Sequence, residues 1–366
     1  MKKILSLLII LSTLVMLFAC GEKYPAVEST ENERRVMFTV SADGEEYEVK
    51  YELYRAFFLT YKSEVDGGDS SVWSGEGAEE YVQRINEIII PKIADIYATI
   101  RLAEKIGVDF SSREVSDTVD AFIEESIEGG EYDGGIVKGY GSYEKYLEAL
   151  RELGLNYSVQ ILLYHYAIAQ SKIAEYYIGT LNEDNIAPGA TPGNLNYTAN
   201  DVKEFYDSDD CVRVLRAFVQ SSTEAVTKAE SIRTKMQNAS SDTAVAAVII
   251  QNTLTSIREA ECGMIIGSHS LDKNIYGQLT SAAFSLAPFG VSEVIEIVTG
   301  DDNGYHILYR AEKSDEHFEE YYATVLDAYL NHEIGKLIND LTVQITESIT
   351  YTSAYEDLVH ADITME

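Results

Sequence analysis

The stretch Gln278–Arg310, ending in the segment Gly304-Tyr305-His306-Ile307, decides the fold of the second half of this 366-residue chain. Residues 280–286 have a helical composition, and residues 291–298 are rich in the β-branched side chains that favour a strand. An Asn-Gly pair, the strongest short hairpin signal, then precedes an alternating segment that places His306 on one face of a returning strand. The stretch therefore predicts a helix, a strand, a turn and a second strand.

These parts resemble, in order and spacing, the C-terminal half of a parvulin-type peptidyl-prolyl isomerase domain. The matching positions are Leu279 with Phe284 and Leu286, then Gly290, Ser292 with Val294, and the segment 304–307. The resemblance implies an α/β domain of order β-α-α-α-β-β with a central first strand. It also implies a shallow apolar pocket for proline beside paired histidines and a Cys or Asp.

The resemblance assigns three polar positions of the site. His306 matches the second family histidine, with a structural role in the sheet as an equal alternative. The first family histidine belongs to the opening strand, over residues 212–218, where this chain has Arg216. Asn252 stands at the position of the family Cys or Asp. A guanidinium cannot share a neutral tautomeric hydrogen bond with His306, so the resemblance also suggests a degenerate site.

Apolar side chains near these positions are candidates for the substrate pocket. They are Met264, Leu279, Phe284 and Phe289. Ordinary core is the alternative for all four, and we favour it for Phe284. Cys262 lies near a glycine turn and not after the second helix, which argues against a catalytic cysteine there.

The N-terminus predicts export and a lipid anchor. Two lysines precede an apolar run over residues 4–18, which is too short to span a membrane and ends in Ala19-Cys20-Gly21. We interpret residues 1–19 as a signal peptide with a lipobox, Cys20 as the lipidated residue and residues 20–34 as a tether. The lipid on Cys20 then holds the protein at the extracytoplasmic face of the cell membrane. The alternative is an ordinary signal peptide cleaved elsewhere.

Composition limits the ligands. The formal net charge is −33, and cleavage after residue 19 removes two lysines and no acid, leaving −35. Nucleic acid is therefore not expected as a partner, because no basic surface neutralises phosphates. The six histidines are scattered and no CxxC occurs, so neither a metal nor a cofactor is expected. Cys211 and Cys262 could pair in an exported protein, but their spacing does not require it.

The organisation of the chain predicts an α+β protein, in which a mostly helical chaperone module surrounds an inserted parvulin-like α/β domain. Helical patterns around residues 51–61, 105–115 and 143–154 resemble the N-terminal module of PrsA/SurA-like folding factors. Pro91 is expected to kink or divide a helix within 78–107, and residues 257–271 are expected to be irregular. The predicted segments are a signal peptide 1–19, a tether 20–34, a helical domain 35–206, an isomerase domain 207–313, a returning C-terminal helix 314–350 and a tail 351–366.

Three hypotheses of function follow. The first is a peptidyl-prolyl isomerase and chaperone that acts on unfolded or newly exported polypeptides. The second is a holdase chaperone of the same architecture with an inactive isomerase domain. The third, a transporter substrate-binding lipoprotein, is disfavoured because the long helical patterns over 78–180 and 316–346 do not supply two lobes of βαβ units. A homodimer through the helical module is left open.

Overall fold

A computed structural model of the chain describes residues 23–132, 135–179, 193–253, 255–270, 276–297 and 303–365. The predicted signal peptide, Cys20 and residues 301 and 302 of the predicted turn lie outside the described residues. The chain divides into two compact units, a first unit of residues 1–174 with 338–366 and a second unit of residues 175–337. The domain boundaries predicted from the sequence stay predictions. In the part of the chain that is described, no helix combines the length and apolar character needed to cross a bilayer.

Helices make up most of the described chain, and the strands are short. The strands are β1 (Val36–Ala42), β2 (Glu45–Lys50), β3 (Gly129–Tyr132), β4 (Gly135–Lys138), β5 (Cys211–Gln220), β6 (Met264–Gly267), β7 (Ile295–Ile297), β8 (Gly304–Ala311) and β9 (Thr350–Tyr351). The helices are α1 (Tyr51–Asp66), α2 (Ala78–Lys105), α3 (Arg113–Glu128), α4 (Tyr143–Glu152), α5 (Tyr157–Tyr177), α6 (Ala199–Asp207), α7 (Ala225–Gln237), α8 (Asp242–Asn252), α9 (Ile257–Cys262), α10 (Tyr276–Ser285), α11 (Asp315–Glu320), α12 (Tyr322–Glu347) and α13 (Ser353–Glu356). The α+β fold class predicted from the sequence is confirmed.

In the first unit, the C-terminal segment completes a sheet that begins near the N-terminus. Its strand order is β2-β1-β9, and Phe38 of β1 lies opposite Tyr351 of β9. The Phe38 ring is fully buried and packs against Tyr54 of α1, with ring centroids 6.4 Å apart. The ring of Tyr351 also packs on Phe38, with centroids 5.7 Å apart, so this cluster joins residues more than 300 positions apart in sequence.

The sequence predicted that Pro91 would kink or divide a helix. The predicted division is wrong, because α2 runs unbroken from Ala78 to Lys105. Pro91 is exposed, and so is Glu87, whose carbonyl loses its helical partner. Water can satisfy that carbonyl on the outer face of a helix, so the helix continues through the proline.

The second unit contains a four-stranded sheet of order β6-β5-β8-β7, in which all neighbouring strands are antiparallel. The first strand, β5, is central, as predicted from the resemblance. The strands β7 and β8 pair antiparallel, as the predicted hairpin requires, but Gly304 lies inside β8 opposite Ile297 and is not a turn residue. One face of the sheet packs on α7 and α8, and the other packs on α10. We call them the α7/α8 face and the α10 face.

Two segments differ from the prediction. Residues 257–271, expected to be irregular, contain α9 and the edge strand β6. A strand of four residues has little signal of its own and forms here because β5 pairs with it. The helix expected over residues 316–346 is two helices, α11 and α12, separated at Tyr321, whose φ of −113° lies outside the helical range.

Candidate functional site

The pairing of β5 with β8 sets which side chains of the candidate site meet. Phe218 lies opposite His306, and Arg216 lies opposite Leu308. Directly opposite residues of an antiparallel pair project from the same face, and so do residues two apart in one strand. His306, Phe218 and Arg216 therefore share the α10 face, with Phe218 directly across from the histidine.

Phe218 lies in contact range of both polar candidates. Its ring stacks on the imidazole of His306 with centroids 4.8 Å apart and planes inclined by 27°. The guanidinium carbon of Arg216 lies 5.8 Å from the centroid of the same ring, within range of a cation–π contact. His306 is fully buried, whereas Arg216 and Phe218 are half-buried. The paired histidines of the resembled family are thus replaced by a row of guanidinium, phenyl ring and imidazole.

Gly304 and Ser292, both part of the sequence signature, hold β8 in this register. A Cβ atom at Gly304 would lie 2.4 Å from the carbonyl oxygen of Val219, so only glycine allows β8 to approach β5 this closely. The Ser292 backbone N–H donates to the carbonyl of Leu308 at 2.8 Å, and its Oγ accepts from the N–H of Leu308 at 2.9 Å. Both contacts fix the strand that carries His306.

Asn252 occupies a different layer. It ends α8, which packs on the opposite side of the sheet from His306. Its Oδ1 accepts from Lys235 Nζ at 2.6 Å, and its Nδ2 donates to the carbonyl of Val248 at 2.7 Å. These bonds tie α7 to α8 and give Asn252 a structural role at the end of the helix.

The four pocket candidates separate into two groups. Leu279 is fully buried in the apolar cluster of the α10 face, and Met264 and Phe284 pack against that cluster while partly buried. Phe289 is 57% exposed in a turn, with φ of 64°, and its N–H donates to the carbonyl of Arg310. The α10 face therefore gathers three of the candidates, and Phe289 projects beyond it.

The two cysteines are buried free thiols. Burial raises the pKa of Cys211 to about 12 and also raises the pKa of Cys262. Both therefore stay protonated at neutral pH, and neither is a nucleophile in this conformation.

Sequence reasoning missed a buried arginine network on the α7/α8 face. Arg213 is 8% exposed and donates to Asp242 Oδ2 at 3.2 Å and to the carbonyls of Cys262 and Glu312 at 3.0 and 2.8 Å. Asp242 also accepts from the hydroxyl of Tyr309 at 2.9 Å. One signal in the sequence could have revealed this network, namely an arginine inside an apolar strand. A guanidinium buried there needs several hydrogen-bond acceptors.

The α10 face combines buried and partly buried apolar side chains with a half-buried cationic group, Arg216. Asn252, which stands at the family position of an acid or thiol, lies at the end of α8 on the opposite side of the sheet from His306.

Comparisons with known proteins give a fold likeness only. No protein-family model and no curated protein matches the chain. Among solved structures, the chain is similar to PrsA from Bacillus subtilis, with 15% identity, 86% of this chain and 93% of that chain covered, and a TM-score of 0.25. It is similar to foldase protein PrsA from Streptococcus pneumoniae, with 14% identity, 88% and 97% covered, and a TM-score of 0.26. Foldase protein PrsA from Lactococcus lactis gives 14% identity, 90% and 99% covered, and a TM-score of 0.23. These TM-scores leave the function to be argued from the chain's own residues.

Proposed function

We propose that the protein is a membrane-anchored, extracytoplasmic folding factor for unfolded and newly exported polypeptides. Its second unit carries a domain of the parvulin peptidyl-prolyl isomerase type. The observation that carries the proposal is the central strand β5, which presents Arg216 and Phe218 beside His306 on the apolar α10 face. The sequence signature over residues 279–307 supports the same assignment.

Isomerisation at such a surface needs no strong acid or base. The barrier to rotation about a peptide bond is about 18–20 kcal/mol and comes from amide resonance. An apolar surface that removes water and fits the twisted amide better than either planar form lowers that barrier. The partly buried Met264 and Phe284 beside the fully buried Leu279 offer an apolar surface of this kind.

The test is a protease-coupled isomerisation assay on the full chain with a short proline peptide. We expect a rate that rises in proportion to protein concentration and falls when Phe284→Ser makes the α10 face polar. Glu316→Gln, an exposed position on α11, is the matched control and should leave the rate unchanged. A rate equal to the uncatalysed background would exclude the isomerase.

A non-catalytic holdase is the second candidate, and two placements favour it. Arg216 stands where the resembled family has a histidine, and Asn252 is bound to Lys235 in the helical layer. In this case the full chain suppresses aggregation of an unfolded client protein but leaves the isomerisation rate at background. The two assays together separate the candidates.

Anchoring through Cys20 is part of the proposal, supported by the lipobox and the short apolar run before it. Cys20→Ala should move the protein from the membrane fraction to the soluble extracytoplasmic fraction. Cys211→Ala, which removes a buried thiol elsewhere, is the control and should stay with the membrane. Membrane association of Cys20→Ala equal to that of the natural chain would contradict the lipid anchor.

A further inference from the structure

A recess in the second unit lies away from the α10 face. It has a volume of about 300 Å³ and is lined by side chains of α6 and of the α12 segment 329–336, with Ser208 and Asp210 between α6 and β5. None of its lining residues belongs to the candidate site described above.

Three rings form the buried wall of this recess. The ring of Phe205 packs on Tyr329 with centroids 5.7 Å apart and on His332 with centroids 4.9 Å apart. All three side chains are buried, so the rings support the recess from below and polar groups face its opening.

His332 directs a hydrogen-bond donor into the recess. Its side chain is 3% exposed, and its Nδ1 accepts from the backbone N–H of His269 at 3.3 Å. Burial lowers the pKa of His332, so the ring is neutral at pH 7 and carries its proton on Nε2. That nitrogen lies 3.9 Å from Glu333 Oε1, too far for a hydrogen bond, and no residue in the described ranges accepts from it.

Carboxylates surround the rings. Four of them line the recess with one lysine, for a net charge of −3 with His332 neutral. Each uses one oxygen within the protein, and in the described part of the chain the second oxygen makes no hydrogen bond. The oxygens in use are Asp201 Oδ2 with Thr198, Glu204 Oε1 with Asn200, Asp210 Oδ1 with Ser268 and Glu333 Oε1 with Lys336.

We propose that this recess binds a basic side chain, arginine or lysine, of a client polypeptide. The cation lies among the carboxylates and reaches their second oxygens, while His332 Nε2–H donates to a backbone carbonyl of the same segment. The inference rests on the proposed function, because it takes the ligand to be a polypeptide. An organic cation suits the site better than a metal ion, because across the described residues no three His, Cys, Asp or Glu side chains are grouped to hold a metal.

The first experiment compares two capped, unstructured peptides that differ only in one arginine or one citrulline, titrated calorimetrically into the full chain. Citrulline keeps the shape and loses the charge. We expect the arginine peptide to bind at least tenfold more tightly. Equal affinity of the two peptides would overturn the proposal.

A pair of matched variants then separates local binding from net charge. Glu204→Gln with Glu333→Gln removes two negative charges from the recess. Glu316→Gln with Glu319→Gln removes two from exposed positions of α11 and is the control. We expect at least a tenfold loss of arginine-peptide affinity in the first pair and less than a twofold loss in the second. Equal losses would show attraction to the acidic surface in general and would contradict a specific site.

Methylguanidinium alone tests the role of the backbone carbonyl. The peptide should bind more tightly than this small cation, and His332→Phe should reduce that advantage while the methylguanidinium affinity stays the same. Equal affinity of peptide and small cation in the natural chain overturns the role of His332. These titrations do not depend on isomerisation, so a failure here with catalysis intact refutes the recess alone.

Discussion

Two arginines three residues apart in β5 have opposite roles, because they project from opposite faces of one sheet. On the α7/α8 face, Arg213 is 8% exposed and hydrogen-bonded to Asp242 and to backbone carbonyls from two other segments. On the α10 face, Arg216 is half-buried over the ring of Phe218. Arg213 is held by several acceptors at the base of the fold, whereas Arg216 lies against an aromatic ring beside the apolar cluster.

The same contrast applies to the two histidines of the second unit that lie near these arginines. His317 Nε2 donates to the carbonyl of Cys262, the oxygen that also accepts from Arg213, and its Nδ1 accepts from the hydroxyl of Tyr206 at 3.0 Å. His306 stacks on Phe218 on the other face. We therefore expect changes on the α7/α8 face to alter stability, and changes on the α10 face to alter activity.

The largest effect is expected for Arg213→Ala. Removing the guanidinium takes the cation away from the Asp242 carboxylate and one donor away from each of the Cys262 and Glu312 carbonyls, at a cost of about 3 kcal/mol in the free energy of unfolding. Native-state hydrogen exchange of the β5 and β8 amides measures this cost for the second unit alone. Arg216→Ala is the control and should cost less than about 1 kcal/mol. Equal losses in both variants would remove the distinction between the two faces.

A smaller loss of stability is expected for Gly304→Ala. The added Cβ would lie 2.4 Å from the carbonyl oxygen of Val219 and 2.8 Å from the Phe218 ring, so β8 must shift away from β5. We expect about 2 kcal/mol of destabilisation in the same hydrogen-exchange measurement. Gly277→Ala is the matched control, since a Cβ there meets nothing within 4 Å and alanine favours a helix. A neutral Gly304→Ala would contradict the close approach of the strands.

Arg216→His should change activity with little change in stability. A histidine at this position restores the residue that the resemblance implies, on the same face as His306. If the natural site is degenerate, we expect at least a tenfold rise in the isomerisation rate, which corresponds to about 1.4 kcal/mol in the barrier. An active natural chain with no gain in the variant would show that the missing histidine does not limit the rate and would contradict a site degenerate at residue 216.

The smallest effect is a pH dependence of stability carried by His317. Burial, together with the charge of Arg213, lowers the pKa of His317 from its ordinary value of 6.5. The unfolded chain then binds more protons, so the stabilisation is complete above about pH 6.5 and is lost as the pH falls below it. Urea unfolding at pH 7 and 5.5 should show a decrease of less than about 1 kcal/mol that His317→Gln reduces. An identical decrease in the variant would assign the pH dependence to other groups.

Local signals explain why much of the second unit could be predicted. A β-rich composition predicted β5, alternation predicted β8, the Asn-Gly pair indicated that β8 returns beside β7, and Thr198 with Asp201 forms the capping box that begins α6. The strand β6 and the continuity of α2 through Pro91 could not be predicted. The strand β6 forms because it pairs with β5, and α2 continues because Pro91 lies on the face of the helix that meets water.

By itself the sequence determined the strands β5 and β8 of the second unit, the central place of β5 implied by the resemblance, and the face of β8 that carries His306. Alternation and turn chemistry act over a few residues and can be recognised without a fold. Only the tertiary structure decided that Phe218 lies opposite His306, that Asn252 binds Lys235, and that rings and carboxylates of α6 and α12 meet in one recess. Those contacts depend on strand register and on helix packing. The residues that meet are from 17 to more than 80 positions apart, and the local sequence does not encode such distant contacts.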